Sequence, residues 1–261
     1  MDELDDVEGF NPGVPNVARV WDCLLGGKDN YPADRAEAAR LVEIEPSLPV
    51  LARANRLFLS HAVHWLARCG VRQFLDLGCG LPVAQNIHQV AHAVSPACRV
   101  VYVDNDRVAA VHAAALLAGG SDLVDSMRAD LADPAAVLAR PEVTGTLDLG
   151  RPVAVIFGMV LHFLSAPHAA KIVAGYAGAL AAGSYVVVSC GSGDAATGGR
   201  LAAEYQPDRL RNHSPEQIAG FLDGLTVIEP GVVDAWAWKP GAVCAPPSRD
   251  GAHVLVAVAR K

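Results

Sequence analysis

Apolar positions along the chain first recur at helical spacing and then alternate between short apolar runs and amphipathic stretches. Val17, Val20, Trp21 and Leu24 fall on one face of a helix that Asn16 can cap and Gly26-Gly27 stops. The polar loop Lys28-Asp29-Asn30-Tyr31-Pro32 leads into a second helix over 33–45. A long third helix over 48–69 carries Leu51, Leu57, Phe58, Val63 and Leu66, and Gly70 punctuates it. From there the pattern alternates: strand 73–77, helix 84–94, strand 99–103, helix 107–118, strand 124–128, helix 134–140, strand 152–157, helix 167–181, strand 184–189. Gly191 to Gly199, within a long irregular stretch, reads as a mobile loop. Ser214-Pro215-Glu216-Gln217 marks a helix start with a Ser N-cap, Pro at N1 and Gln at N3. The closing runs at 225–229 and 253–259 are joined too irregularly for a crossover helix, which predicts an antiparallel pair at the sheet edge.

This alternation predicts an α/β fold, a doubly wound and mostly parallel sheet of about seven strands behind an N-terminal helical lid. Residues 1–70 form the extension and 71–261 the core. A chain of 261 residues that is 52% hydrophobic can bury both as one globular unit.

The ends of the first two strands carry the chemistry. The first apolar run ends in Asp76 and turns through Gly78-Cys79-Gly80, and the second ends in Asp104, placed to accept from ribose hydroxyls. A dinucleotide fingerprint needs a third glycine where Val83 stands, and Pro82 removes an N–H where a phosphate wants donors. The Asp76 carboxylate would repel a pyrophosphate but would hold the ammonium of a methionine moiety. The pattern therefore favours S-adenosylmethionine over a nicotinamide dinucleotide.

Charge narrows the partners. The formal net charge is −7, and no Lys or Arg run interleaves with aromatics, which argues against nucleic acid. The acidic start Met1 to Asp6 lacks the regions of a secretory signal, so a cytoplasmic location is expected. The longest apolar stretch, 152–163, is too short to span a bilayer, so no membrane partner is expected. Six cysteines without a C-x-x-C predict free thiols and no structural zinc. His88 and His92 share a helix face without Glu or Cys beside them, so they read as ordinary surface or core histidines and no metal is expected.

Several segments together resemble the actinobacterial S-adenosyl methyltransferase family. They are Asn16 through Asn30, containing Leu24-Leu25-Gly26-Gly27-Lys28-Asp29-Asn30; Ala54-Asn55-Arg56; Phe74 through Pro82; Tyr102 through Asp106; and Leu161-His162-Phe163. The resemblance covers nearly the whole chain, and the Leu-Leu-Gly-Gly-Lys-Asp-Asn element is its specific part. It implies a Rossmann-like class I methyltransferase fold and S-adenosylmethionine as cofactor, with S-adenosylhomocysteine as product. Asp76, Gly78, Gly80 and Leu81 would line the methionine side, Asp104 would take the ribose, Asn105 would lie beside the adenine, and Asp130 with Leu131 would close the adenine end. Asp130 has a competing reading as a helix N-cap, a task that Asp133 before Pro134 fits better.

Methyl transfer needs mainly positioning and exclusion of water, so few residues announce themselves. His162, after the fourth strand, is a candidate base, although a lone His there is more often a packed residue. The Gly26 to Tyr31 loop is expected to close over the cofactor, with Lys28 contacting it and Asp29 and Tyr31 as further catalytic candidates. Arg19, Asn55 and Arg56 are expected near the methionine carboxylate. Arg209, Arg211 and His213 read as a solvated basic turn, with recognition of an acidic substrate as the alternative. Trp236 and Trp238 receive no role. Phe157-Gly158-Met159-Val160-Leu161-His162 lacks the Asn/Asp-Pro-Pro-Tyr/Phe pattern of many amino-directed nucleic-acid and protein methyltransferases, which favours a small-molecule acceptor, with a homodimer left open. A non-methylating reaction of the same cofactor and a non-catalytic sensor remain the alternatives.

Overall fold

In the computed structural model, which describes residues 11–83, 85–117, 122–242 and 250–261, the alternating pattern closes into one eight-stranded sheet. The acidic start and Cys244 lie outside the described residues. Five strands are parallel: β1 (Gln73–Leu77), β2 (Arg99–Asp104), β3 (Val124–Arg128), β4 (Ala154–Gly158) and β5 (Tyr185–Gly193). Their order is β3-β2-β1-β4-β5, so connections leave in opposite directions on either side of β1 and open a crevice above the strand ends there. The closing strands, β6 (Thr226–Val227), β7 (Val233–Asp234) and β8 (Ala252–Arg260), complete the sheet. The expected antiparallel pair is present as β6 and β8, with β8 inserted beside β5 and the short β7 also paired to it.

The inner strands are buried on both faces, as the uninterrupted runs Phe74-Leu75 and Val153 to Phe157 require. One face is covered by α3 (Leu48–Arg68), whose Phe58, Ala62, Val63 and Leu66 pack on Phe74, Val100, Ile156 and Val187. Fully burying a side chain such as Leu66 or Phe58 contributes about 1.5–3 kcal/mol. On the other face Tyr176 and Ile172 of α8 (Ala166–Ala179) and Ile218 of α10 (Pro215–Gly220) lie against Leu75, Val155 and Val188. The remaining helices of the alternation are α4 (Ile87–Val94), α5 (Arg107–Leu117), α6 (Pro134–Leu138) and α7 (Pro141–Thr146), the last unanticipated. A separate small cluster joins α1 (Val17–Leu25), α2 (Pro32–Ile44) and the start of α3 through Val20, Leu24, Leu41 and Ala52.

The segment expected to be a mobile loop is ordered differently. Nine-residue pairing with β8 carries β5 through Gly193, and α9 (Ala195–Glu204) follows at once, its N-cap Asp194 accepting from Thr197 N at 2.7 Å. Helix propensity counts against a glycine such as Gly198. In the fold it is the residue that lets α9 approach Asn212, whose side chain fills the space a β-carbon would need. Arg40 of α2 then bridges Glu37 of its own helix to Glu204, tying α9 to the lid.

Candidate active site

The turn after β1 is built by geometry that its glycines alone tolerate. Gly78 has φ of +72°, and a β-carbon there would collide with Cγ1 of Val160 beyond β4. Gly80, at φ +64°, meets nothing within 4 Å, so its open side is left to the cavity. The N–H groups of Gly78 and Cys79 donate to Val103 O at 2.7 and 3.2 Å, and Gly80 N donates to Asp104 Oδ2 at 2.8 Å. Asp106 N donates to Asp104 Oδ1 at 2.8 Å. Two backbone donors thus fix the buried Asp104 carboxylate, yet each oxygen keeps a lone pair for a hydroxyl. Burial raises its pKa, and the donors from Asp106 and Gly80 work against that.

Asp76 is in a harder position. Burial pushes its carboxyl up to about 7, against the pull of the Arg56 guanidinium. Among the described residues no donor is hydrogen-bonded to it. Oδ1 of Asn55, on the neighbouring α3, is also buried without a partner. A desolvated carboxylate and an orphaned amide oxygen facing one cavity are what a primary ammonium satisfies. Arg56 donates to Gln85 O at 3.1 Å beside them.

The lid reaches the same crevice from above. Asn16 donates through Nδ2 to Asp106 Oδ2 at 2.8 Å and caps α1 by accepting from Arg19 N, so the start of the lid is pinned behind β2. Arg19 itself turns away. Its Nε donates to Asp34 Oδ2 at 2.8 Å and its Nη2 to Val14 O at 2.6 Å, and Asp34 further accepts from Asn16 N and Tyr31 N. This corrects the expectation that Arg19 reaches the methionine carboxylate, because a fully buried Asp34 claims its guanidinium. The Gly26 to Tyr31 loop is ordered by Asp22, whose Oδ2 accepts from Asp29 N at 3.0 Å and Asn30 Nδ2 at 2.8 Å. Gly27 is required because the Asp22 carboxylate occupies the place of a β-carbon. Asp22 lines the cavity, whereas Lys28, Asp29 and Tyr31 are not among its walls. Asp29 instead faces His112 of α5 at 4.0 Å, and the Tyr31 ring lies under Arg19.

At the far end Met159, just beyond β4, adopts φ +57°, costly for a residue with a β-carbon, and is held by Ser189, whose O and Oγ both accept from its N–H. His162 sits in a 3-10 turn, Leu161–Phe163, its ring tilted against that of Phe163 with centroids 4.3 Å apart. Gly191 N donates to its Nδ1 at 3.4 Å. Burial, with His213 nearby, pushes its pKa down to about 3, so the ring stays neutral and is a weak proton acceptor. His213 is buried against the carbonyls of Leu164 and Leu161, Arg209 is exposed, and Arg211 enters the cavity, so the expected solvated turn is split three ways. Trp238 packs edge-on against Phe58 and Trp65, while Trp236 is exposed.

One cavity of about 520 Å³ collects these groups. Asn55, Arg56, Asp76, Gly78, Gly80, Leu81, Asp104, Asn105, Asp130, Leu131 and His162 line it, as do Asn16, Asp106, Met159 and Arg211, which were not among the expected cofactor or catalytic residues. Asp130 Oδ1 accepts from Ala132 N at 2.9 Å, forming its own short turn, and Asp133 caps α6 as expected. Among the described residues no group of His, Cys, Asp and Glu is arranged to hold a metal, and no helix is long and apolar enough to cross a membrane.

A β3-β2-β1-β4-β5 parallel sheet with an antiparallel edge, acids at the ends of β1 and β2, and a glycine turn without a phosphate cradle define a Rossmann-like methyltransferase of class I. Residues 6–261 match the S-adenosyl methyltransferase family model, and the chain belongs to that family. It is similar to the crystal structure of a candidate methyltransferase from Thermobifida fusca, with 37% identity over 95% of this chain and 96% of that one and a TM-score of 0.86. A DUF574 family protein from Streptomyces avermitilis is similar at 38% identity over 95% and 98%, with a TM-score of 0.84. Magnesium protoporphyrin IX methyltransferase from Synechocystis, solved with bound S-adenosylhomocysteine, shares the fold alone, at 14% identity over 93% of each chain and a TM-score of 0.51. No curated protein matches the chain. The protein is an S-adenosylmethionine-dependent methyltransferase, and its residues fit that cofactor: the buried Asp76 carboxylate and the unpaired Asn55 oxygen suit the ammonium and the anchored Asp104 suits the ribose.

Proposed function

We propose that the protein methylates a small, largely apolar molecule held at the end of the cavity away from Asp104. The observation that carries this reading is the continuity of the cavity, from the acid-ended strands to a wall of Leu24, Leu41, Phe163, Leu201 and Tyr205 under the lid. Its volume lies within the ~300–1,000 Å³ usual for small-molecule sites. Enclosure by α1 and α9 would leave little room for a macromolecular acceptor.

S-adenosylmethionine, when bound, supplies an electrophilic methyl on a sulfonium. The residues' task is then to hold and to dry. Asp76 and Asn55 would take the ammonium, Arg56 the carboxylate, Asp104 the ribose hydroxyls, and Asn105, Asp130 and Leu131 the adenine end. Met159 and His162, at the ends of β4 and its following turn, would pack against the acceptor. A neutral His162 of such low basicity suits a positioning or hydrogen-bonding role better than that of a proton-abstracting base. Lys28, Asp29 and Tyr31 would act through the lid's conformation. The free thiols of Cys23, Cys69, Cys79, Cys98 and Cys190 support a reducing, cytoplasmic setting.

The test is incubation with methyl-labelled S-adenosylmethionine and a panel of apolar hydroxy and amino compounds. Label in an acceptor with one S-adenosylhomocysteine per transfer is expected. Turnover to methylthioadenosine without labelled acceptor would replace this reading with cyclisation of the aminobutyrate arm.

A further inference from the structure

We propose that Arg211 anchors a carboxylate on the acceptor, so that the substrate is an apolar acid rather than a neutral apolar molecule. The inference rests on the acceptor site just described and gives it a chemical class. Arg211 lines the cavity, and its Nε is buried with no hydrogen-bond partner. A buried guanidinium N–H left without an acceptor keeps its desolvation penalty uncompensated. A fold retains such a group most economically where a ligand satisfies it.

The backbone that carries Arg211 is not loose. Arg211 N donates to His162 O at 2.8 Å, Asn212 Nδ2 donates to Gly193 O at 2.9 Å, and His213 sits on Leu164 O at 3.0 Å, so three consecutive residues stitch this segment to the ends of β4 and β5. Among the described residues no carboxylate lies within ion-pair distance of Arg211. Asp208, which also lines the cavity, is exposed and turns its Oδ1 to the N–H of Arg209 at 2.6 Å.

The other charged groups leave Arg211 its task. Arg56 stands at the opposite end, beside Asp76. His253, on the cavity wall, is engaged by Asp234 Oδ1 at 2.8 Å and Asp250 O at 2.7 Å. Among the described residues Arg211 is thus the cation next to His162 and the leucine wall that remains free for a ligand. Its planar fork matches a carboxylate with two parallel hydrogen bonds. The carboxylate would fix the apolar body of the acceptor, which the leucines bind without orienting.

The experiment compares naphthalene-2-carboxylate with naphthalene-2-carboxamide by calorimetric titration, into the free protein and into protein saturated with S-adenosylhomocysteine. The pair has one apolar body and differs in charge. The carboxylate is expected to bind at least about tenfold more tightly, a difference of ~1.4 kcal/mol. In Arg211→Gln the preference should vanish while the affinity for S-adenosylhomocysteine stays unchanged, which also shows that the variant is folded. Equal binding of the two probes, binding of neither, or a preference that survives in Arg211→Gln overturns the proposal. Failure of S-adenosylhomocysteine to bind wild-type protein would instead overturn the cofactor assignments, and the carboxylate preference would still be read in the free protein.

Discussion

Asp76 gives cofactor binding a pH dependence whose size follows from its burial. Its carboxyl is held at about 7, against an unperturbed value of 3.8. An ammonium ligand needs the ionised form, so the free protein must lose a proton before, or as, it binds. Roughly nine-tenths of such a group is ionised at pH 8 and roughly one-tenth at pH 6, so affinity for S-adenosylmethionine should fall about tenfold between them, ~1.4 kcal/mol. Binding at pH 6 should release close to one proton, seen as a dependence of calorimetric heat on the buffer's ionisation enthalpy, and almost none at pH 8. Asp76→Asn should bind weakly at both pH values, and any residual slope in it reports the ligand's own titration, which is subtracted. The folded protein also pays for this carboxylate. Between about pH 4 and 7 it holds a proton that the unfolded chain has lost, so this group makes stability fall as pH rises through that window and leaves it lowered above. Asp76→Asn without ligand should therefore melt several degrees higher than wild type at pH 8 while binding worse. An affinity flat from pH 6 to 8 without proton release, or the same slope in wild type and Asp76→Asn, would refute the reasoning.

Other consequences are local and separable. Gly78→Ala should destabilise the protein by about 1–3 kcal/mol and abolish cofactor binding. Shortening Val160 to Ala in the same chain should recover only part of it, because φ of +72° remains unfavourable; the readouts are thermal melting and cofactor titration. Asp34→Ala strands the buried Arg19 and should cost about 3–5 kcal/mol, with faster hydrogen exchange in α1 and α2 than in the sheet. His162, held near 3, stays neutral while the unfolded chain takes up a proton below its ordinary 6.5, so its contribution is complete above pH 6.5 and is lost as pH falls toward 3. His162→Asn should flatten that acid limb in denaturant titrations, and any remaining methylation should keep the wild-type pH profile from 6 to 9.

Much of the architecture was legible because its signals are local. Apolar runs of five or six residues separated by amphipathic stretches dictate parallel strands and crossovers, and an acid at the end of β1 and of β2 lies above the crevice wherever the sheet forms. Asp76, Gly78, Gly80 and Asp104 are legible as candidates in this way, since the turn after β1 depends on residues adjacent in sequence. The start of α10 was legible for the same reason, its Ser214 and Gln217 reciprocally capping within one turn.

What stayed hidden depends on partners far away in the chain. Arg19 looked like a cofactor ligand until Asp34 took its guanidinium, and α9 looked like a loop until Asn212 explained Gly198. No residue type marks Met159 for positive φ, because Ser189 on the next strand holds it there. Arg211 shares a short basic segment with Arg209, and nothing in that segment tells which cation faces solvent. Closure of segment 211–213 onto β4 and β5 desolvates one of them. Local pattern thus set the strands, their acids and the glycine turn, because chain neighbours supply the forces involved. The choice among ionisable side chains waited for folding, because a charge's role depends on which distant group, or none, it meets when water is removed.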